Sequence, residues 1–342
     1  MKKLIKYSKI HQFRNVIANI NRTATFVKLD NSGKAIYNNN NIKPVITFQG
    51  TVKLHGTNSS VCYNKKDGFW IQSRRNIITL ENDNAGFAFF AESNKKVFML
   101  FFEKTALKYN IDLNQYTITI YGEWAGKGIQ KGVGIAQLEK AFYIFGIKVS
   151  NLKDDSFTSY WIESQNLKSP ENRIFNVNDY KTYSIEIDFN NPQLVQNKLA
   201  KITEEVEKEC PVAKAHGIDN SLGEGVVWKG VYKDSIYIFK VKGEKHSATK
   251  VKILANIDTE KIKTIQQFVD YAVTKNRFNQ AIENIFPDKI LDIKKLGELI
   301  KWTVKDILSE EIDTIKENNL EPKDITKQIT QKVKKMFFEI YI

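Results

Sequence analysis

The stretch Thr51-Val52-Lys53-Leu54-His55-Gly56-Thr57-Asn58 decides how the rest of the chain is interpreted. It follows the β-prone run 45–48, so a strand is predicted to end near Lys53, where glycine permits a turn. A lysine at such a strand end can point into a cleft and act as an amine nucleophile once its pKa is lowered. Considered alone, the octamer is more simply the end of an edge strand whose lysine has no chemical role, because lysine is common at strand ends.

The composition is that of a globular chain with an unusual charge. Of the 342 residues, 42% are hydrophobic and 27% are charged, and the length is sufficient for two domains. Residues 251–342 hold 16 basic and 15 acidic side chains, so +12 of the net charge of +13 lies in residues 1–250. This surplus favours a polyanionic partner, and nucleic acid is favoured over a membrane surface.

The cysteine content and the hydropathy pattern restrict the compartment. Cys62 and Cys210 are the two cysteines and form no CxxC pair, which argues against a disulfide framework or a zinc site. Apolar runs such as 97–102 are too short to cross a bilayer, and the N-terminus lacks the apolar part of a signal peptide. We therefore expect no membrane association and a cytoplasmic location (in the host if the source is viral). We also expect a monomer.

The periodicity predicts an α+β fold. A hairpin is predicted around a turn at 64–68, and a helix over 84–109. Further strands are expected at 116–123, 142–147, 159–163, 224–229 and 235–242, a helix at 193–209, and a loop at 38–41. After residue 250 the apolar residues follow helical stripes. We predict a first domain of packed antiparallel sheets with flanking helices at 1–248, and an all-helical domain at 249–342.

Charged and aromatic residues follow Lys53 along the predicted strands. Lys240 and Lys242 fall on one strand face, because strand side chains alternate. Each residue alone is more simply a solvated rim charge, a weak ion pair or a protective edge lysine. Their occurrence together, all on strands, indicates a functional site. The set is Lys53, Arg74, Glu123, Phe145, Glu224, Lys229, Lys240 and Lys242.

Five stretches of the chain resemble the motifs of the RNA ligase 2 family, nick-sealing ligases of the covalent nucleotidyltransferase superfamily. They are Lys-Leu-His-Gly-Thr-Asn (53–58), Tyr-Gly-Glu-Trp-Ala-Gly-Lys-Gly-Ile-Gln-Lys (121–131), Phe-Tyr-Ile-Phe (142–145), Glu-Gly-Val-Val-Trp-Lys (224–229) and Phe-Lys-Val-Lys (239–242). Residues 275–279 and 303–311 resemble the helical C-terminal domain of that family. Two positions depart from the family pattern. Val52 replaces an acidic residue, and Gly146 replaces an aspartate, which affects the expected recognition of adenosine.

The resemblance implies an ATP-dependent RNA ligase with ATP and Mg²⁺ (or Mn²⁺) as cofactors. Its substrate would be RNA with 3′-OH and 5′-phosphate ends, at nicks in duplex RNA. Lys53 would attack the α-phosphate and become lysyl-AMP, and AMP would then pass to the RNA 5′-phosphate. Glu224 would bind the metal, and Lys240 and Lys242 would neutralise the α-phosphate.

The remaining site residues are assigned partly by resemblance and partly from helix geometry. Lys229 would act in adenylylation. The residues expected at the nucleotide are Thr51, Val52, Lys53, His55, Asn58, Arg74, Glu123, Phe145, Glu224, Lys240 and Lys242. The residues expected at the RNA are Arg74, Arg277, Asp306 and Glu310. Asp306 and Glu310 lie four apart and hence on one helical face, and a surface face with nothing bound is an equally good interpretation for them.

Two alternatives remain open from the sequence. A DNA ligase or a capping-type nucleotidyltransferase would usually continue into a β-rich domain after residue 242, whereas residues 251–342 have helical periodicity. A non-catalytic RNA-binding protein with this fold should have lost Lys53 or the two lysines of the stretch 239–242, and all three are present.

Overall fold

A computed structural model of the chain describes residues 2–153, 159–164, 166–243, 265–288, 290–317 and 320–341. Within these residues, no helix is both long enough and apolar enough to cross a membrane. The predicted boundary between residues 248 and 249 lies outside the described residues and stays a prediction.

Helices and strands occur along the whole described sequence. The helices are α1 (Phe13–Thr25), α2 (Phe87–Ser93), α3 (Lys95–Lys108), α4 (Gln196–Lys208), α5 (Pro211–Ala215), α6 (Ile265–Ala272), α7 (Lys275–Ile285), α8 (Leu296–Glu310), α9 (Ile312–Glu317) and α10 (Pro322–Tyr341). The strands are β1 (Phe26–Leu29), β2 (Ala35–Tyr37), β3 (Val45–Lys53), β4 (Thr57–Asn64), β5 (Gly68–Ser73), β6 (Ile77–Ile78), β7 (Tyr116–Ala125), β8 (Ala141–Asn151), β9 (Tyr160–Ile162), β10 (Ile174–Asn176), β11 (Thr182–Asp188), β12 (Gly225–Tyr232) and β13 (Ser235–Lys242).

The strands form three sheets. The largest has the order β10-β8-β7-β4-β5-β6, with β9 also paired to β8. Its pairs are antiparallel except that β10 runs parallel to β8. A four-stranded sheet has the order β11-β3-β12-β13, and β1 pairs with β2 alone. The predicted hairpin is confirmed as β4–β5, closed where Asn64 faces Gly68, a glycine with φ of +71°.

Helices α2 and α3 pack their aromatic residues against the large sheet. Phe87, Phe98 and Phe102 are fully buried in one cluster with Val61 and Ile120 of the sheet. The single helix predicted over 84–109 is instead two helices, separated at Asn94, whose side chain donates to the carbonyl of Phe90 at 2.9 Å. Asparagine often replaces helical hydrogen bonds with such local ones, so an apolar stripe alone does not locate the break.

The first 44 residues contain more regular structure than the sequence predicted. Helix α1 buries Phe13, Val16 and Ile20, which lie three and four apart and define one apolar face. Strands β1 and β2 follow it, and the predicted loop at 38–41 is present after β2. Three asparagines within α1 lower its mean hydropathy and obscure this stripe.

Helices α6, α7, α8 and α10 enclose a separate core. Phe268, Ile307, Ile329, Val333 and Phe337 are among its fully or almost fully buried members. The helical apolar stripes predicted after residue 250 are therefore confirmed within the described residues. Each stripe turns inward because only the shared core can remove it from water.

The chain divides into two compact units. The first is Met1–Ile10, Gln49–Ser184 and Lys208–Val227, and the second is His11–Phe48, Ile185–Glu207 and Trp228–Ile342. Mixed helices and strands, mostly antiparallel pairing in the large sheet and a helical C-terminal region confirm the predicted α+β class.

Two neighbouring phenylalanines of α10 allow a test of the helical core. Phe337 is fully buried, whereas the side chain of Phe338 is 42% exposed. Replacing Phe337 by alanine should lower the free energy of unfolding by about 3–5 kcal/mol, because the vacated volume cannot be refilled. Phe338→Ala is the matched control and should cost about 1 kcal/mol or less. Equal losses in urea denaturation would contradict the assignment of this core.

Candidate nucleotidyl-transfer site

Lys53 is the last residue of β3, as predicted. Its neighbours Val52 and Leu54 are 2% and 5% exposed, so strand alternation turns Lys53 away from the core they enter. The Lys53 amine lies 2.7 Å from Oε2 of Glu224, a carboxylate only 2% exposed. A carboxylate this deeply buried needs a counter-charge, which Lys53 supplies.

His55 approaches the same carboxylate. Its Nδ1 atom lies 3.3 Å from Oε2 of Glu224, a contact that is an ion pair only when the imidazole is protonated. Lys53 and His55 are two residues apart at the turn from β3 to β4, and both are partly exposed. Glu224 therefore fixes two of the predicted nucleotide-binding side chains at one point.

Gly56 brings Glu123 into the same site. The Gly56 amide donates to Oε1 of Glu123 at 3.0 Å, and the Gln130 side chain donates to the Gly56 carbonyl at 3.3 Å. A Cβ at position 56 would collide with the Trp124 carbonyl, so only glycine permits this close approach. In the β4–β7 pairing, Asn58 lies opposite Glu123, so these two predicted nucleotide-binding residues are neighbours in the sheet.

The environment of Glu123 perturbs its ionisation. Burial is the largest effect and, together with the negative charge of Glu224, raises the pKa of Glu123 to about 7. The charges of Lys53 and Arg74 and the hydrogen bond from Gly56 oppose this increase. Glu123 therefore changes charge near neutral pH, which is common for groups in functional sites.

Phe145 is placed by a β-bulge. The β7–β8 register shifts so that Tyr121 faces Gly146 while Gly122 faces Ile144, which makes Phe145 the extra residue of the bulge. Bulges re-aim side chains and are frequent beside active sites. The Phe145 ring meets the Tyr7 ring at a centroid distance of 5.0 Å and an interplanar angle of 79°.

Tyr7 is a site neighbour that the sequence analysis missed. Its ring also packs edge-on against Tyr121 at 5.1 Å and Trp161 at 4.9 Å. The Tyr121 hydroxyl donates to the carbonyl of Ile5 at 2.8 Å, which helps to hold the N-terminal segment here. Nothing in the local sequence around Tyr7 signals these contacts, because all its partners are more than 100 residues away.

The remaining first-unit candidates lie at the ends of strands. Thr51 and Val52 are on β3, and Asn58 is partly exposed on β4. Arg74 is exposed immediately after β5 and contributes to the electrostatic environment of Glu123. The first unit thus brings together Lys53, His55, Glu123 and Glu224, with Arg74 within electrostatic reach.

The other predicted lysines belong to the second unit. Lys240 and Lys242 on β13 flank the buried Val241 and so share one strand face, as predicted. The Lys240 amine forms an ion pair with Oε2 of Glu310 at 2.6 Å. On β12, burial lowers the pKa of Lys229 to about 8.

Glu310 is held by a strongly positive environment. Burial acts to raise its pKa, but Lys240, Lys242 and Arg277 more than offset that effect and lower it to about 2. The pKa of Asp306, one helical turn earlier, is raised by burial, against the opposing charge of Arg277. Glu310 therefore remains ionised near neutral pH and neutralises part of the charge on β13.

Arg277 occupies an interior position. Its side chain is 1% exposed, and its guanidinium pairs with Asp306 at 2.8 Å and with Glu311 at 3.3 Å. Glu311, also 1% exposed, is paired in addition with Arg14 at 2.9 Å. The RNA contact expected of Arg277 stays a prediction, but the structure gives this residue an internal electrostatic role.

The chain is similar to known proteins in sequence and in structure. A family model described as RNA ligase matches residues 46–242. Similar solved structures include Naegleria gruberi RNA ligase with PPi, at 18% identity and a TM-score of 0.43, covering 70% of this chain and 56% of that one. A lysine-to-alanine mutant of that ligase with ATP and Mn has 17% identity and a TM-score of 0.42, covering 74% and 58%.

The chain thus spans little more than half the length of these ligases. None of the curated proteins compared with it gives a significant match. The family match extends over more than half of the 342 residues, from β3, which carries Lys53, to the end of β13, so the chain belongs to the RNA ligase family.

Proposed function

We propose that the chain is an ATP-dependent RNA ligase that joins 3′-OH and 5′-phosphate ends at nicks in duplex RNA. The observation that carries the proposal is the strand-end amine of Lys53, held 2.7 Å from the buried Glu224 inside the segment matched by the RNA ligase family. A lysine amine oriented by an adjacent carboxylate is suited to covalent catalysis.

The first step forms a phosphoramidate. The neutral Lys53 amine attacks the α-phosphorus of ATP, a nitrogen–phosphorus bond forms, and the bond to pyrophosphate breaks. The amine must lose a proton before or during the attack, and the Glu224 carboxylate at 2.7 Å is positioned to accept it. His55, beside the same carboxylate, is assigned to the pyrophosphate side by resemblance.

The next two steps transfer AMP and seal the nick. The 5′-phosphate of the RNA attacks lysyl-AMP and frees Lys53, which gives an RNA 5′–5′ adenylate. The 3′-hydroxyl then attacks that phosphate, a phosphodiester forms, and AMP leaves. Asn58 and Arg74 are assigned to the 5′-phosphate end, and the exposure of Arg74 suits contact with a large substrate.

The remaining roles follow the chemistry of the nucleotide. Glu123 is proposed to hold the ribose hydroxyls and Phe145 to stack on adenine, while Thr51 and Val52 contact the base through their backbone. Lys240 and Lys242 are proposed to stabilise the charge that develops on the α-phosphate, and Lys229 to assist adenylylation.

Glu224 also suits a divalent metal. Hard oxygen ligands favour Mg²⁺ or Mn²⁺, and a bound ion would neutralise phosphate charge. Among the described residues, no group of three or more His, Cys, Asp or Glu side chains could hold such an ion alone. The donor set therefore fits an ion whose other ligands are nucleotide phosphates and water, as is common for Mg²⁺.

Lys53→Ala tests the nucleophile. Incubation with α-labelled ATP and Mg²⁺ without RNA, followed by a denaturing gel, should label the wild-type chain at 39.5 kDa and leave the mutant unlabelled. Lys53→Arg should fail as well, because the guanidinium stays protonated. Lys66→Ala, at an exposed hairpin turn, is the control and should label normally. Labelled Lys53→Ala would refute the assignment.

The same preparations test the substrate. Wild-type protein should seal a nicked RNA duplex carrying 3′-OH and 5′-phosphate ends, and Lys53→Ala should not, because no lysyl-AMP forms. Efficient sealing of an all-DNA nick with no sealing of RNA would favour the DNA ligase alternative. Labelling without sealing of either duplex would contradict the nick-sealing part of the proposal.

Glu310→Gln tests whether the Glu310 carboxylate and a nucleotide phosphate compete for Lys240. Glu310 competes with nucleotide phosphate for Lys240, so its neutralisation should lower the KM for ATP in the labelling reaction by about fivefold, equivalent to roughly 1 kcal/mol. Glu298→Gln, an exposed change on the same helix, is the control and should leave KM unchanged. An unchanged or higher KM in Glu310→Gln would contradict this competition.

The pKa of Glu123 gives a test that does not depend on activity. Because the pKa is raised from 4.5 to about 7, the folded chain keeps a proton that the unfolded chain has already lost in this range. Stability should therefore fall as pH rises from about 4.5 to 7, by at most about 3 kcal/mol, and then level off. Glu123→Gln should lack this fall.

The control for that measurement is Glu139→Gln, because the Glu139 side chain is 77% exposed. Its free energy of unfolding should follow the wild-type pH profile. Identical profiles for the wild type and Glu123→Gln would show that Glu123 ionises normally in the folded chain.

A further inference from the structure

Residues 11–44 carry a concentrated positive charge. They contain Arg14, Arg22, Lys28, Lys34 and Lys43 but only one acidic residue, Asp30. The Asp30 carboxylate accepts hydrogen bonds from the Ser32 hydroxyl at 2.6 Å and the Lys34 amide at 2.8 Å, within its own turn. These bonds, the one from the Ser32 hydroxyl first, hold the pKa of Asp30 below its usual value. Its carboxylate is therefore engaged locally.

The two-stranded sheet β1–β2 exposes large apolar side chains between these charges. Phe26 and Tyr37 are each 43% exposed and form an edge-to-face pair with centroids 6.1 Å apart. Aromatic faces interleaved with basic groups are typical of surfaces that bind single-stranded nucleic acid.

A groove of about 460 Å³ lies beside this sheet, at the C-terminal end of α1. We call it the N-terminal groove. It is lined by Asn21, Arg22, Thr25, Tyr37, Asn39 and Lys43. Within the described part of the chain, neither Arg22 nor Lys43 forms an ion pair through its side chain, whereas Arg14 on the same helix is paired with Glu311. The groove thus offers two cations, amide groups and an aromatic ring.

We propose that the N-terminal groove binds a single-stranded RNA segment that flanks the nicked duplex, a binding site in addition to the nucleotidyl-transfer site. Arg22 and Lys43 hold backbone phosphates, and Tyr37 provides a face on which a base stacks. Asn39 is exposed, and its side-chain amide offers a donor and an acceptor that match base edges and the ribose 2′-hydroxyl. The identification of the ligand as RNA rests on the proposed function.

The charge arm of the test uses the full chain and a fluorescently labelled single-stranded RNA 12-mer. Arg22→Ala/Lys43→Ala should bind this RNA about tenfold more weakly than wild type. The slope of log K against log salt concentration should become shallower by about 1.4, because two phosphate contacts are lost. The matched control is Lys104→Ala/Lys334→Ala, which removes two exposed positive charges elsewhere. It should retain wild-type affinity and slope.

The stacking arm separates an aromatic contact from bulk attraction. Tyr37→Phe keeps the ring and should bind as wild type. Tyr37→Leu keeps apolar bulk but has no π-face, so its affinity should fall at least about fivefold. Far-UV circular dichroism of both variants should match the wild type, since both keep a large apolar side chain beside Phe26.

Covalent AMP labelling without RNA separates the two proposals. The groove variants should label normally, because no groove residue is assigned to lysyl-AMP formation. If the wild type fails to label but the groove variants still lose RNA affinity, RNA binding by the N-terminal groove is supported and the ligase proposal is refuted. If the groove variants and the lysine control have equal affinities and salt slopes, in proteins that label normally, RNA binding by the N-terminal groove is refuted.

Discussion

The buried carboxylate of Glu224 is the constraint on which the candidate site depends. At 2% exposure it must be compensated by charge, and the Lys53 amine at 2.7 Å provides that charge. Strands β3 and β12 are neighbours in one sheet, so the ion pair joins the end of one strand to the residue before the other. Removing Lys53 leaves Glu224 as a buried charge without its lysine partner, a loss that typically costs about 3–5 kcal/mol. The nucleophile and its carboxylate therefore also belong to the framework.

The second unit also contains a buried carboxylate that is compensated by positive charge, here from two arginines. Glu311 is 1% exposed and is balanced by Arg14 and Arg277, which come from α1 and α7. Arg14 and Tyr271 are also hydrogen-bonded at 2.5 Å. Because the interior cluster uses both guanidiniums, the basic groups left for an external anion are others, such as Arg22 and Lys43. A sequence cannot distinguish these two populations of arginine and lysine, since burial depends on the tertiary packing.

The features that sequence analysis predicted well are local. Strand alternation and a glycine located Lys53 at the end of β3, and the stripe through Ile325, Ile329 and Val333 located α10. The features it missed depend on distant residues. The bulge that orients Phe145 requires a specific register between β7 and β8, and Tyr7 reaches its aromatic partners across more than 100 positions. Pairing register and long-range aromatic contacts have no signature in a single short window.

On the proposed function, each unit pairs a lysine of the reaction with one of the protein's own carboxylates. Lys53 is held by Glu224, and Lys240 is held by Glu310. The two pairs would serve different steps. Glu224 would take the proton that Lys53 must lose before it attacks, whereas the nucleotide phosphate would replace Glu310 beside Lys240. The exchange at Lys240 weakens nucleotide affinity, because Glu310 must be displaced first. Both ion pairs also hold the lysine side chains in place before the nucleotide arrives, so less side-chain entropy is lost when it binds.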